Sequence, residues 1–257
     1  MDKPTDKQLK EAKEFLYKRV QVEISMQSRL ESYIIEAAER IYAVSRKYSI
    51  RPSLFKFSIN KQLDLEVNEV IKWLKGKINE LTFSLASSHG INSEEEKRDY
   101  FYREIKGKTF NQRLNIYNNR LKHEIEAFVA ASLIQGLTKT KFIKTYREQY
   151  KNPYNNSIIT KSGQTAAVRS SGVTYGVGRS NVAFNMLNNL SRHAIADTWM
   201  HADMERAISK GAIGFYSYRG SSFPCETCDD MTGFHTFADP YPPYHQRCVC
   251  FAVPVYN

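Results

Sequence analysis

Every cysteine of this chain lies in one short stretch near its C-terminal end. Cys225 and Cys228 form a C-x2-C pair, and Cys248 and Cys250 form a C-x-C pair after a gap of 19 residues. His245 stands three residues before Cys248. A C-x2-C pair presents two thiolates from one tight turn, and thiolate and imidazole are the ligands that zinc prefers. The stretch therefore predicts a structural zinc site that stabilises a loop-rich segment.

The ligand set is open at this point, because His235 and His245 raise the candidates to six for four positions. We expect Cys225, Cys228 and Cys248 to bind the metal, with either His245 or Cys250 completing the set. The alternative without metal is a group of reduced thiols packed in a core. A catalytic Cys–His pair is disfavoured, because it needs one thiol activated by one base, and here four thiols are grouped together.

Positive charge is concentrated just before this stretch. Between Leu137 and Ile195 nine basic residues stand against one acid, Glu148, so this segment carries +8 of the chain's net charge of +10. Such an imbalance predicts contact with a polyanion, either nucleic acid or an acidic protein surface. A solvated basic segment without a dedicated partner is the alternative. The candidate nucleic-acid-binding residues are Lys139, Lys141, Lys144, Arg147, Lys161, Arg169, Arg179 and Arg192.

The residues before the basic segment predict long amphipathic helices. Thr5–Gln8 has the form of a capping box, and apolar residues then recur at spacings of three and four. We expect a first helix to about Tyr48, with a break near Ser25–Ser28, ended by Arg51-Pro52. The next segment carries a regular apolar seam, which predicts a helix that packs within the chain or, less favoured, against a partner. The seam residues are Leu63, Val67, Val70, Leu74, Ile78, Leu81 and Leu85.

Further caps and breakers divide the middle of the chain. Ser93–Glu96 and Thr109–Gln112 are two more capping boxes, and the second predicts a helix that ends near Gly136 and leaves His123 on the surface. A short amphipathic helix is expected over 140–149. Residues 155–180 carry four glycines and no acid, which predicts a long irregular connection.

A last long helix is expected over 181–210, followed by a strand over 212–219 that leads into the cysteine stretch. His193, Asp197 and His201 are spaced four apart on this helix and share one face. A polar surface face is favoured over a metal or acid–base site, because no further ligand is near in sequence. The predicted fold is mostly α, with an elongated helical N-terminal region followed by a small α+β C-terminal module that carries the Cys/His cluster.

Two classes of protein are disfavoured by the sequence. No apolar run approaches the roughly 20 residues that a membrane span needs. The N-terminal residues are charged throughout and lack the apolar core of a signal peptide. We therefore expect a reducing cytoplasm, in which clustered cysteines favour metal binding over disulfides.

The C-terminal half resembles the phage Mu F-like minor head proteins, also called head-morphogenesis proteins. The resemblance covers roughly Leu137 to Val253 and is most specific in C-x2-C-x4-G, from Cys225 to Gly233, followed by a proline-rich run and H-x2-C-x-C. Gln246 and Val249 depart from the proline and arginine usual in the family. The resemblance divides the chain into a helical region, 1–136, and a head-morphogenesis domain, 137–257, with a basic arm at 152–180 and a Cys/His module at 212–257.

The resemblance implies a structural component of a tailed bacteriophage head without enzymatic activity. Proteins of this family associate with the portal vertex and in some cases influence DNA packaging or delivery. The implied partners are the portal protein, capsid or scaffold proteins and packaged double-stranded DNA, with no membrane. The implied location is the head interior or portal vertex of the virion, and the host cytoplasm during assembly. The alternative from another class is a zinc-dependent nucleic-acid-binding protein that uses the same basic stretch.

Overall fold

The computed structural model describes residues 3–89, 101, 104, 107–151 and 182–256, without the side chains of 149–151 and 182. The described part is mostly helical, with a small antiparallel sheet near the C-terminus. Its helices are α1 (Asp6–Ser45), α2 (Lys61–Ser87), α3 (Phe110–Ile134), α4 (Lys139–Lys151), α5 (Val182–Ser209) and α6 (Glu226–Asp230). Its strands are β1 (Ala212–Tyr218), β2 (Gly233–His235) and β3 (Phe251–Tyr256). The predicted fold class is confirmed.

Helix α1 begins at the predicted capping box. The Thr5 backbone N–H donates to Gln8 Oε1 over 2.8 Å, and the Gln8 N–H donates to Thr5 Oγ1 over 3.4 Å. The helix then runs for 40 residues without interruption, so the predicted break near Ser25–Ser28 is wrong. The Ser28 hydroxyl donates to the Ile24 carbonyl within the helix, and buried Met26 and Leu30 continue the apolar period. A serine on an otherwise helical face therefore does not end the helix.

The apolar seam of α2 is used inside the chain, as the intramolecular alternative predicts. Its buried members are Leu63, Val67, Leu74, Ile78 and Leu81, whereas Val70 and Leu85 are half-buried. The helix starts after Asn60, whose Oδ1 accepts from the backbone N–H groups of Gln62 and Leu63. Pro52, predicted to end the first helix, lies in the first of two short 3-10 turns before α2.

Helices α3 and α4 meet α1 in an aromatic core. Phe142 stacks on Tyr42 with ring centroids 4.1 Å apart and packs edge-on against Phe128. The Tyr42 hydroxyl also donates to the Leu137 carbonyl in the connection between α3 and α4. Gly136 has a φ of 61°, the left-handed conformation that ends α3 as predicted. His123 lies on the surface, as expected, with its side chain 62% exposed.

Helix α5 leads directly into the sheet. It ends before Gly211, whose φ of 84° turns the chain into β1. Strand β1 is the predicted strand and lies at the centre of the sheet, in the order β2-β1-β3, with both neighbours antiparallel. Phe215 on β1 is wholly buried in a core with Met200 and Met204 of α5 and Ala252 of β3. The short strands are thus supported from one side by α5.

The described residues form two compact units that differ from the predicted division at residue 136. The cysteine-bearing unit takes its residues from Met1–Ser28, Glu80–Phe110 and Asn189–Asn257, and the helical unit takes its residues from Arg29–Asn79 and Asn111–Asn188. The reason is that α1, α2 and α5 each contribute one end to each unit. The predicted cap at Ser93–Glu96, the connection at 155–180 and the basic arm at 152–180 lie outside the described residues.

In the described part of the chain, no helix combines the length and apolar character that crossing a membrane requires.

Candidate metal centre

The sheet and helix α6 bring the two halves of the cysteine stretch together. Cys225 precedes α6 and its carbonyl accepts from the Asp229 N–H over 2.9 Å, while Cys228 is buried within that helix. Cys248 and Cys250 immediately precede β3, which pairs with β1. Because β1 also leads through a short loop to Cys225, its pairing with β3 sets the two cysteine pairs side by side.

The sulfur and nitrogen atoms of five residues converge on one small volume. His245 Nε2 lies 3.2 Å from Cys225 Sγ and 3.0 Å from Cys228 Sγ. Cys228 Sγ lies 3.9 Å from Cys248 Sγ. Two groups each have their ligand atoms within 4.8 Å of one another, namely Cys225, Cys228 and His245, and Cys228, Cys248 and Cys250. Cys228 belongs to both groups and is the centre of the cluster, which can bind a metal ion.

The orientation of His245 suits a metal ligand. Its Nδ1 lies 2.8 Å from the carbonyl oxygen of Gln246. Because a carbonyl oxygen only accepts hydrogen bonds, Nδ1 must carry the proton, and Nε2 of the neutral ring then presents its lone pair to the thiols. Metal-bound histidines in proteins are commonly held by such a hydrogen bond from the other ring nitrogen.

A strained turn sets the spacing between His245 and Cys248. The Cys248 N–H donates to the His245 carbonyl over 3.2 Å, and Arg247 between them has a φ of 62°. The left-handed region costs a residue other than glycine on the order of 1 kcal/mol. The Arg247 Nε donates to Asn189 Oδ1 of α5 over 2.8 Å, which helps to hold this conformation.

Without a metal, the thiols share protons unequally. Hydrogen bonds from Cys228 lower the pKa of Cys225, and a hydrogen bond from the Cys250 thiol lowers the pKa of Cys248 to about 5. Burial raises the pKa of Cys228 to about 12, and its bond to Cys248 raises the pKa of Cys250. The thiols of Cys228 and Cys250 thus act as hydrogen-bond donors to Cys225 and Cys248. A divalent cation would replace these shared protons, because metal ligands bind as thiolates.

Buried charged residues join the cluster to α1, and α1 to α5, and sequence reasoning missed Arg19 and Glu23. Arg19 of α1 donates from Nη2 to the Cys248 carbonyl over 3.2 Å and is wholly buried. Glu23, one turn later, accepts from Arg192 of α5 over 2.9 Å. The sequence carried a signal for these two residues. Arg19 and Glu23 are four residues apart, and the same spacing of three and four residues leads on to Met26 and Leu30, which are buried. Opposite charges on the apolar face of a helix indicate a buried ion pair.

The other histidines considered as ligands lie elsewhere. His235 Nε2 is 3.1 Å from the Met231 carbonyl, and His201 contacts the Tyr241 hydroxyl and Glu205. Neither belongs to the groups of close metal-ligating atoms found in the described residues, and neither do His193 and Asp197. His201 is exposed, whereas His193 and Asp197 are half-buried, so the polar face predicted on α5 lies only partly on the surface.

The candidate nucleic-acid-binding residues divide into three sets. Lys139, Lys141, Lys144 and Arg147 are exposed on α4, with Lys139 2.7 Å from Glu39 and Lys144 4.0 Å from Glu148. Arg192 differs from the expectation, because its guanidinium pairs with buried Glu23 over 2.8 Å. Lys161, Arg169 and Arg179 lie outside the described residues. The described part of the predicted basic surface therefore consists of α4 alone.

In comparisons with known proteins, no family model, curated protein or solved structure gives a significant match to the chain.

Proposed function

We propose that this chain is a structural minor head protein of a tailed bacteriophage, associated with the portal, in which one zinc ion fastens the C-terminal module. The observation that carries the proposal is the convergence of the C-x2-C and H-x2-C-x-C halves of the signature, through the contacts of His245 with Cys225 and Cys228. These are the residues on which the resemblance to Mu F-like proteins rests. The role assigned to the cluster is structural, not catalytic.

Zinc is the metal that this donor set favours. Thiolate sulfur and imidazole nitrogen in a tetrahedral arrangement suit Zn²⁺, whereas harder cations prefer oxygen. With a Zn–S distance of about 2.3 Å, two sulfurs on a tetrahedral ion lie about 3.8 Å apart, and Cys228 and Cys248 are separated by 3.9 Å. The bound ion would cross-link α6 to the segment before β3.

Elemental analysis tests the metal directly. Full-length protein purified without chelators is expected to carry about one zinc per chain. Simultaneous replacement Cys225→Ser and Cys228→Ser is expected to abolish it. Wild-type protein that carries no metal would overturn the zinc site.

The assembly role is tested in the virion. Mass spectrometry of purified particles is expected to find this protein at low copy number together with the portal protein, and crosslinking is expected to join the two. Particles that lack this protein would overturn the assignment while leaving the zinc site untouched.

A zinc-dependent nucleic-acid-binding protein is the second candidate, and α4 favours it. Lys141, Lys144 and Arg147 are exposed on this one short helix. Each phosphate contact adds roughly one to the slope of log affinity against log salt concentration. The triple variant K141Q/K144Q/R147Q is therefore expected to reduce that slope by up to about three.

The matched control is K10Q/K13Q/K18Q, which removes the same charge from exposed positions of α1. If both triple variants bind duplex DNA alike, attraction is a matter of net charge and this second candidate fails. Binding that depends on α4, with no portal association in particles, would favour it over the head protein.

A further inference from the structure

Arg19 is a buried cation whose hydrogen-bonding capacity is largely unused. Its side chain is wholly buried, and its one described hydrogen bond runs from Nη2 to the Cys248 carbonyl over 3.2 Å. Nε lies 3.3 Å from Glu23 Oε1, but the two are not aligned as a hydrogen bond. Among the described residues neither Nε nor Nη1 has a hydrogen-bond partner. A guanidinium in this state needs a negative charge nearby.

Glu23 does not fully supply that charge. Its Oε2 also accepts from Arg192 Nε over 2.9 Å and lies 2.8 Å from Arg192 Nη2. Two guanidinium groups and one carboxylate sum to one positive charge. Removing an uncompensated charge from water is strongly unfavourable. Among the described residues, Cys248 and Cys250 also act electrostatically on Arg19.

The possible ligand sets differ in charge. A divalent ion with four thiolates carries −2, with three thiolates and one neutral imidazole it carries −1, and with two of each it is neutral. Only the second set balances the single positive charge of Arg19, Glu23 and Arg192. The same set uses His245, whose Nε2 already faces Cys225 and Cys228. Its third thiolate is assigned to Cys248, whose Sγ lies 3.9 Å from that of Cys228 and whose carbonyl accepts from Arg19.

We propose that Arg19 is the counter-charge of a zinc site formed by Cys225, Cys228, His245 and Cys248, with Cys250 left as a thiol. Arg19 is then a positioning residue that links metal binding to the packing of the first half of α1 on the Cys/His module. This inference rests on the proposed zinc site and deepens it by assigning the ligands and the site charge.

The proposal predicts that one substitution acts unequally on two states. In Arg19→Met the metal-free protein loses the packing of the side chain and its hydrogen bond to the Cys248 carbonyl, while the remaining pair of Glu23 and Arg192 is neutral. The zinc-loaded protein loses its counter-charge and binds the metal more weakly. A packing role alone would weaken both states equally.

The experiment measures zinc affinity by competition with a chromophoric chelator, and thermal midpoints with zinc and with excess EDTA, all on the full-length chain. R19M is expected to weaken zinc binding by about 10-fold to 100-fold, the usual effect of removing a group that supports a metal ligand. R19K restores the charge and is expected to recover part of the loss. K18M removes one charge from the exposed neighbouring position and is expected to bind like the wild type.

The ligand set is tested separately, so that the proposal stands or falls even if R19M does not fold. C250S is expected to retain about one zinc, and H245A is expected to lose it. Cobalt(II) substitution is expected to give a thiolate charge-transfer band of equal intensity in the wild type and C250S.

Several outcomes overturn the inference. They are R19M binding zinc as tightly as K18M, equal destabilisation of R19M with and without metal, or loss of zinc from C250S with retention in H245A. If the wild type binds zinc, any of these results overturns the charge balance between Arg19 and the metal site but leaves the zinc site itself in place. A wild type that binds no zinc overturns the site itself and, with it, this inference.

Discussion

The helical unit and the cysteine-bearing unit are stabilised in different ways. The helical unit has an aromatic and aliphatic core in which Tyr42, Phe128 and Phe142 pack against one another. In the cysteine-bearing unit, the apolar cluster around Phe215 is small, and a second cluster consists of cysteines with Tyr244. Its connection to α1 includes the buried charges of Arg19 and Glu23. The core of the helical unit is thus aromatic and aliphatic, whereas the strands and loops of the cysteine-bearing unit also bury thiols and charged side chains.

The difference has a physical reason. A long amphipathic helix removes many apolar side chains from water at each turn, and each contributes roughly 1.5–3 kcal/mol. Strands of three to seven residues bury few such side chains. A structural metal adds binding free energy that does not require a large core. We therefore expect the two units to respond differently to metal and to mutation.

The largest expected effect comes from Cys228→Ser, because Cys228 belongs to both groups of ligand atoms. The variant is expected to lose zinc, and with it metal-binding free energy on the order of 10 kcal/mol. Hydrogen exchange followed by mass spectrometry is expected to show rapid exchange over 212–256 and continued protection over 61–79 and 111–134. Loss of protection in both regions would contradict the contrast between the units.

A smaller effect is expected from Phe142→Ala in the helical unit. Phe142 is wholly buried between Tyr42 and Phe128, and truncating such a residue costs about 3–5 kcal/mol. Chemical denaturation is expected to give the same loss with zinc and with EDTA.

The matched control is Phe223→Ala, since Phe223 is 81% exposed and stands two residues before Cys225 in the sequence. Its free energy of unfolding is expected to change by no more than about 0.5 kcal/mol. A loss in Phe142→Ala that varies with zinc would show that the two units do not respond separately.

The smallest expected effects are on the pH dependence of stability, where two carboxyl groups act with opposite sign. Burial raises the pKa of Asp203 in the cysteine-bearing unit, but Arg206 and His89, 2.7 and 3.6 Å away, outweigh it and hold the pKa below its usual value. Burial raises the pKa of Glu124 in the helical unit above its usual value, despite the hydrogen bond from the Ala183 N–H. Ion pairing dominates at the first carboxyl and burial at the second.

The signs follow from proton linkage. Asp203 contributes stability above its unfolded pKa, and this is lost as pH falls through its lower folded pKa. The advantage of the wild type over Asp203→Asn is therefore expected to shrink on acidification. The ionised Glu124 opposes folding increasingly as pH rises from its unfolded to its raised folded pKa, so Glu124→Gln is expected to gain on the wild type in that window. Chemical denaturation at several pH values between about 3 and 7 measures the difference in unfolding free energy between the wild type and each variant. If both differences changed with pH in the same way, the contrast between ion pairing and burial would be contradicted.

Local patterns in the sequence were sufficient for most of the helices. The Thr5–Gln8 cap, the α2 seam, the stop at Gly136 and strand β1 were all predicted, because each depends on residues close together along the chain. The break predicted near Ser25–Ser28 was wrong, because a hydroxyl can bond within its own helix while the apolar period continues.

The sequence by itself determined which residue types can bind a metal and the amphipathic helices that precede them. Tertiary structure decided that His245 faces Cys225 and Cys228, and that the compact units divide α1, α2 and α5 instead of separating at residue 136. It also decided that Arg19 lies against Cys248, 229 positions away. Periodicity shows that one face of a helix is buried. It does not show which element covers that face, because this depends on packing between distant segments.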